Sequence, residues 1–342
     1  MQHGNLVGLH GVTHFQMVNA FPIGSTATIP EIAQKSGVHP DDAKTLIDHA
    51  LTFRYFERQP DGSITHSAST RAIITIPRVQ AWITHALNNM WRDVPYIVPA
   101  MAKWPGSQEP YETAFNFSRR VDGPFFKEVG KNPQDVQAFM NAMRFFLDKP
   151  NMSPDFAIQG YSWEAHAEGT IVDVGGSHGL IAFKLAERYP GMTLVVQDLP
   201  EVVAKAPSSG TRQVVFQAHN FLEEQPVKEA DIYFLRYILH SWADKYCIAI
   251  LRALIPALKA GSRILLMEHI VPEAGDISLF QERQIRRFDL AMKQNFNSKE
   301  RTEKAWRQVL RDADERFNVV EIRTPEGSQL SIIVVEWAPD RG

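Results

Sequence analysis

Thr170-Ile171-Val172-Asp173-Val174-Gly175-Gly176-Ser177-His178-Gly179-Leu180 is the stretch on which the fold turns. Ile171 to Val174 is a short, mostly apolar run with the look of a buried strand. Gly175 to Gly179 is a tight turn, and Leu180 to Tyr189 reads as a helix. A glycine-rich first turn lets a ligand approach the backbone, with a helix N-terminus behind it. Downstream, Met192 to Val196 reads as the next strand, closing in Gln197-Asp198-Leu199-Pro200. Further strands are expected at Val214 to Phe216, Ile232 to Leu235, Ile264 to Met267, Val319 to Ile322 and Leu330 to Val335, with helices between most of them. That alternation describes an open α/β domain with a mostly parallel sheet. The last two strands, joined through Pro325-Glu326-Gly327, are expected to form an antiparallel hairpin at its end.

A carboxylate at Asp198, ending the second strand, can accept hydrogen bonds from a ribose diol. Strand, glycine turn and acid fit either a dinucleotide or S-adenosyl-L-methionine. The spacing separates them. A dinucleotide fingerprint starting at Gly175 needs glycines two and five residues later, where the chain has Ser177 and Leu180. Starting at Gly176 meets His178 and Ile181 instead. The close pyrophosphate approach is poorly supported, and S-adenosyl-L-methionine does not need it.

Upstream, the first 100 residues read as short helices and turns. Ile29-Pro30-Glu31-Ile32-Ala33 opens a helix that stops near Gly37. Pro40 opens a second, with Ala43, Leu46, Ile47, Ala50 and Leu51 at helical spacing. A polar loop, Gln59 to Ser63, joins Phe56 to Ile64. Two helices, a turn and short extended pieces resemble a small winged-helix unit. Residues 1–100 carry seven Lys/Arg against seven Asp/Glu, so the basic footprint of a nucleic-acid reader is missing. A packing or dimerisation module is the stronger reading. From residue 80 to 150 the helical pattern is interrupted by Pro95, Pro99, Pro105 and Pro110, among dense aromatics.

The chain has 342 residues and a formal charge of -3, which gives no global field for nucleic acid or an anionic membrane. A single cysteine excludes an internal disulfide framework and a cysteine-based zinc site. There is no apolar run of the roughly 20 residues a bilayer span requires, and no metal site is indicated. A cytoplasmic protein of two domains is expected, with the boundary near residue 165: a helical domain over 1–165 and a nucleoside-binding domain over 166–342.

Four stretches then carry a resemblance: Val172 to Gly179, Gln197 to Pro200, Leu235-Arg236-Tyr237-Ile238-Leu239-His240-Ser241-Trp242-Ala243-Asp244, and Asn297-Ser298-Lys299-Glu300-Arg301-Thr302. In order and spacing they resemble the plant and fungal small-molecule O-methyltransferases related to the caffeate and flavonoid enzymes. The resemblance implies a C-terminal Rossmann-like domain binding S-adenosyl-L-methionine and an N-terminal, helical, winged-helix-like dimerisation domain. It implies a homodimer in which each N-terminal domain helps close the partner's site. It also implies several tens of residues ahead of the position where this chain begins, so a leading helical segment is expected to be missing.

Residue by residue, the resemblance places His240 at the general-base position, and an imidazole suits reversible proton transfer near neutrality. Glu268 and Glu300 fall where the family has acids that orient that imidazole and favour its protonated form. His269 is expected to point away, if strand alternation persists. Gly175 and Gly176 are assigned to the methionine end of the cofactor, Asp198 to the ribose and Leu199 to the adenine. Asn220 and Phe221 stand where an acid and a methionine are common, and Arg236 stands where plant members carry lysine. Met143 and Phe146 match positions near the substrate ring, and Phe115, Met292 and Phe296 extend the expected pocket.

Two departures stand out. Ser241 follows the histidine where aspartate is common, and Asn220 replaces an acid. The expected substrate is a small apolar aromatic or polyketide-like molecule with a phenolic or enolic hydroxyl. The alternative is a methyltransferase-like enzyme catalysing dehydration or pericyclic rearrangement, with or without S-adenosyl-L-methionine as a cofactor that is not consumed.

Overall fold

The computed structural model describes residues 4–147, 149–207 and 212–341. The chain divides into two compact units, Met1–Pro95 with Val129–Leu147, and Tyr96–Glu128 with Asp148–Gly342. Packing therefore does not follow a single cut at residue 165. The helix Pro133–Leu147 returns to lie against the helix Pro77–His85, while Tyr96–Glu128 joins the C-terminal unit.

In the first unit, the helix Ile29–Ser36 starts with a capping box between Thr28 and Glu31 and ends at Gly37, whose φ of 66° is left-handed. Pro40 opens the helix Pro40–Thr52, which buries Ala43, Ile47 and Ala50. Strands β1 (Thr26–Ala27), β2 (Phe56–Arg58) and β3 (Ile64–His66) form a small antiparallel sheet in the order β1-β3-β2. Ile32, Ile47, Phe56 and Ile64 meet in one core.

The second unit is built on a seven-stranded sheet. Its strands are β4 (Thr170–Val174), β5 (Thr193–Asp198), β6 (Val214–Ala218), β7 (Ile232–Arg236), β8 (Arg263–Glu268), β9 (Phe317–Arg323) and β10 (Ser331–Trp337). They run in the order β6-β5-β4-β7-β8-β10-β9. β4 to β8 pair in parallel, and β10 runs antiparallel to both β8 and β9, which is the expected terminal hairpin. Alternate residues feed opposite cores, as the period of a strand requires. Ile171, Phe234 and Leu265 pack with Leu185 of the helix Leu180–Arg188, whereas Val172, Leu235 and Leu266 pack with Leu251 and Trp306 of the helices Asp244–Leu254 and Glu303–Ala313. Burial on both faces explains the near-continuous apolar strands. It also leaves the carboxyl ends of the parallel strands as the edge where ligands can enter. Gly175, Asp198, Arg236 and Glu268 stand at the ends of β4, β5, β7 and β8.

Pro99, expected to interrupt a helix, lies within the first turn of Ile97–Lys103, where its missing N–H has no intrahelical acceptor to lose. Among the described residues, no helix is long and apolar enough to cross a membrane.

Candidate active site

The glycine turn is shaped by β5. The N–H groups of Gly175 and Gly176 donate to the carbonyl of Gln197 at 2.8 and 3.1 Å, drawing the turn down onto the neighbouring strand. Gly175 takes a φ of 73°, and a Cβ there would sit 2.6 Å from Ile238 Cδ1. A Cβ on Gly176 would meet the Asp173 carboxyl at 2.5 Å. Both glycines are thus required by the backbone and by their neighbours. The contact with Ile238 also sets this turn against the segment that carries His240.

Asp198 accepts from Ser177 N–H at 2.9 Å and from Leu199 N–H at 2.8 Å. Burial raises its pKa, and those two donors oppose the rise. Its carboxylate keeps further lone pairs for a diol. Leu199 is 38% exposed directly beside it, free to cover an apolar ring. Asn220 turns its amide into its own loop, accepting from Leu222 N–H and donating to Glu223, each at 3.2 Å. Phe221 is half-buried and meets Trp242 edge-on at 5.7 Å between centroids. Arg236 donates to Met152 O at 2.8 Å, while its Nε is buried with no hydrogen-bond partner. Burial lowers its pKa, opposed by the Asp173 charge. Asp173 itself is pushed up by burial to about 7.

His240 sits on the turn Leu239–Ser241 that follows β7. Its imidazole is bounded on three sides. Nδ1 is 3.2 Å from Glu300 Oε1, Nε2 is 3.1 Å from Ser241 Oγ, and the ring of Tyr237 covers it at 3.9 Å between centroids. Burial alone would lower the pKa of His240. The hydrogen bond to Glu300, with the charges of Glu268 and Glu300, outweighs it and raises the pKa. Glu300 is held below its ordinary value: burial pushes it up, and the bond to His240 pulls it further down.

The two glutamates divide their tasks differently from the expectation that both would orient the imidazole. Glu300 meets the ring. Glu268, at the end of β8, instead accepts from the backbone N–H groups of Ile238 and Leu239 at 3.0 and 2.7 Å. It fixes the turn rather than the side chain. Burial pushes Glu268 up to about 7.

His269 does not point away. β8 ends at Glu268, so its alternation stops there, and His269 Nδ1 comes within 3.8 Å of Glu300 Oε2. Burial pushes its pKa down to about 4.

Two further residues hold the turn. Ser298 Oγ donates to His240 O at 2.7 Å. Arg301, whose side chain is fully buried, donates to Leu239 O at 3.2 Å and Trp242 O at 2.7 Å, and pairs with Asp244 at 2.8 Å. Ser298 and Arg301 lie in a stretch singled out by its resemblance, but nothing in the sequence ties them to a turn about 60 residues upstream. Tyr237, with a φ of 61°, is likewise visible only in the structure.

Of the expected pocket residues, Phe115, Met292 and Phe296 are buried in the second unit. Phe125 joins Phe115 and Phe296, at 4.9 and 5.1 Å between centroids, and Phe126 stacks on Phe296 at 5.3 Å. Met143 and Phe146 lie on Pro133–Leu147 of the first unit, where Phe146 packs edge-on to Trp82 at 4.4 Å. No group of acids, histidines and cysteine among the described residues is arranged to hold a metal ion.

A doubly wound sheet with a glycine turn, an acid after its second strand and a buried His–Glu pair at the carboxyl edge defines a Rossmann-like transferase core preceded by a helical region. The O-methyltransferase domain matches residues 100–314. O-methyltransferase kk1A of Curvularia clavata is 37% identical over 333 residues, covering 97% of this chain and 78% of that protein. The chain belongs to the O-methyltransferase family, as its motifs implied, and is an enzyme of that family. Among solved structures, OxaC in complex with SAH and oxaline superposes with a TM-score of 0.80 at 23% identity, covering 97% of this chain and 84% of that one. A structure described as a pericyclic reaction enzyme gives 0.74 at 23% identity, covering 97% and 86%. At that identity both speak for the fold.

Proposed function

We propose that the protein transfers the methyl group of S-adenosyl-L-methionine to a phenolic or enolic hydroxyl of a small aromatic or polyketide-like molecule, with His240 as the general base. The observation that carries this reading is the buried His240–Glu300 pair at 3.2 Å, on a segment whose Ile238 packs against the glycine turn. When bound, S-adenosyl-L-methionine supplies an electrophilic methyl group on a sulfonium. The chain's residues fit such a molecule: the Asp198 carboxylate has lone pairs for the ribose, Leu199 and Phe221 offer apolar faces to the adenine, and the glycine turn admits the methionine end. Arg236 Nε, buried and without a hydrogen-bond partner, is a donor for its polar groups. SAH in the fold relative OxaC is consistent with that use of the sheet edge. Asn220 lends its loop shape rather than a direct bond.

His240 takes the hydroxyl proton as the oxygen attacks. Glu300 stabilises the imidazolium, and Glu268 keeps the turn in place. Phe115, Met292 and Phe296 of the second unit line the acceptor pocket in this reading. The helical N-terminal region serves as a winged-helix-like dimerisation module of a cytoplasmic homodimer. Its exposed Leu6, Val7 and Phe15 and its balanced charge suit a protein contact better than nucleic acid.

The test is incubation with methyl-labelled S-adenosyl-L-methionine and a panel of dihydroxybenzenes, dihydroxynaphthalenes and hydroxyanthraquinones, followed by mass analysis. Labelled methyl in product with accumulating S-adenosylhomocysteine is expected. A rearranged or dehydrated product without consumption of the methyl donor would overturn the reading.

A further inference from the structure

Ser241 stands on the one ring nitrogen through which a buried His240 can act. The side chain of His240 is 5% exposed and that of Glu300 is 0% exposed. Glu300 engages Nδ1 and Tyr237 covers the ring, which leaves Nε2 as the exit for a proton. A glutamate oxygen at Nδ1 selects the tautomer with the proton on that nitrogen, so Nε2 carries a lone pair. Ser241 Oγ, 3.1 Å from Nε2 and on a half-buried residue, then donates its hydroxyl proton to the ring. The oxygen of Ser241 keeps lone pairs that can accept a second hydrogen bond.

An acceptor hydroxyl that met Nε2 directly would have to displace this serine from an enclosed ring. One that met Ser241 Oγ would find a continuous path already built.

We propose that Ser241 relays the proton from the acceptor hydroxyl to His240. The inference rests on the methyl-transfer reading above. As the acceptor oxygen forms its bond to the methyl group, its O–H bond breaks and that proton passes to Ser241 Oγ. The original Ser241 proton passes to His240 Nε2, and the electron pair of the methyl–sulfur bond leaves with the sulfur. Serine ends neutral, and the positive charge rests on an imidazolium bonded to Glu300. An aspartate in place of Ser241 would be ionised near neutrality and would have no proton to hand on.

The test uses the full chain and whichever acceptor of the phenolic panel is methylated fastest. Ser241→Ala is expected to lower kcat by about 100-fold, the scale of one proton-transfer step, with KM changed little, and Ser241→Thr to restore most of it. Rates in H2O–D2O mixtures should give a bowed proton inventory for the wild type, with two protons in flight, and a straight one for Ser241→Ala. Independently of turnover, the 15N resonance of His240 Nε2 in the cofactor-free protein should move when Ser241→Ala removes the donor. A kcat for Ser241→Ala within about twofold of wild type, or an unmoved resonance, overturns the relay. If Ser241→Ala is poorly folded, the wild-type inventory decides, and a straight line counts against it. Methylation that depends on His240 but not on Ser241 defeats the relay alone. No methylation of any panel member defeats the underlying reading and the relay with it.

Discussion

His240 and Glu300, 60 residues apart in sequence, meet at 3.2 Å with both side chains almost wholly withdrawn from water. In such a place a charge is costly unless it is paired, so each partner sets the protonation of the other. His240→Gln is expected to lower kcat by about 10²- to 10⁴-fold while leaving the methyl donor bound. Turnover by mass analysis and donor affinity by calorimetry check the two halves separately, and normal turnover would remove His240 from the base role.

Glu300→Gln removes the negative charge that raises the pKa of His240 against the effect of burial. A base must be neutral to accept a proton, so its pKa sets the acid limb of the pH–rate profile. That limb is expected to move to lower pH in Glu300→Gln, with a lower plateau because the imidazolium loses its partner. A profile that keeps its limb would show that another group controls it.

Glu268 has a folded-state pKa raised from 4.5 to about 7 by burial. A raised carboxyl pKa means that the folded chain holds the proton more tightly than the unfolded one. Its stabilising contribution is full below about pH 4.5 and is lost as the pH rises through about 7. Glu268→Gln is expected to flatten stability against pH across that window, measured by urea midpoints. Glu268→Ala would orphan the Ile238 and Leu239 N–H groups and cost about 1–3 kcal/mol for each.

Gly176→Ala would drive a methyl group into the Asp173 carboxyl, while the N–H of residue 176 remains drawn to Gln197. A loss of about 1–3 kcal/mol in stability is expected, with weaker binding of the methyl donor. Thermal melting with and without the donor reads both, and an unaltered donor-induced rise in Tm would detach the turn from cofactor binding.

Arg301→Ala removes the guanidinium from the carbonyls of Leu239 and Trp242, leaving the Cys247 thiol as a weak donor to both and the Trp242 N–H to Leu239, and it strips Asp244 of a buried partner. A loss of about 2–4 kcal/mol is expected, with kcat falling alongside. Arg301→Lys should recover little of either, because an ammonium cannot span the positions served by a planar guanidinium. Full recovery by lysine would reduce the role of Arg301 to charge alone.

The sheet was readable because its strands are buried on both faces. Ile232 to Leu235 and Ile264 to Met267 are apolar runs that cannot be surface, and each became the centre of an observed strand. The helix starts at Pro30 and Pro40 were equally plain, since proline is tolerated at a helix start. The site was legible at the level of residue type. His240, Glu268 and Glu300 do converge on one segment, yet which glutamate touches the ring depends on where β8 stops. That end point also decides the direction of His269, and a two-residue period cannot announce its own last residue. Ser241 could be noticed as unusual, but its bond to Nε2 depends on the tight turn Leu239–Ser241, which no pattern of apolar residues encodes. The interleaving of Tyr96–Glu128 with the C-terminal unit was hidden for a similar reason: helical periodicity reports which face is apolar, not which neighbour covers it.

Ser298, Glu300 and Arg301 grip the backbone, ring and flanking carbonyls of residues 239 to 242. For anyone recombining this enzyme with its relatives, the two segments therefore travel as a single cassette. A chimaera with its crossover between residues 242 and 298 inherits His240, the proposed base, from one parent and the residues that hold it from the other. Its proton chemistry can fail even where every active-site letter is retained.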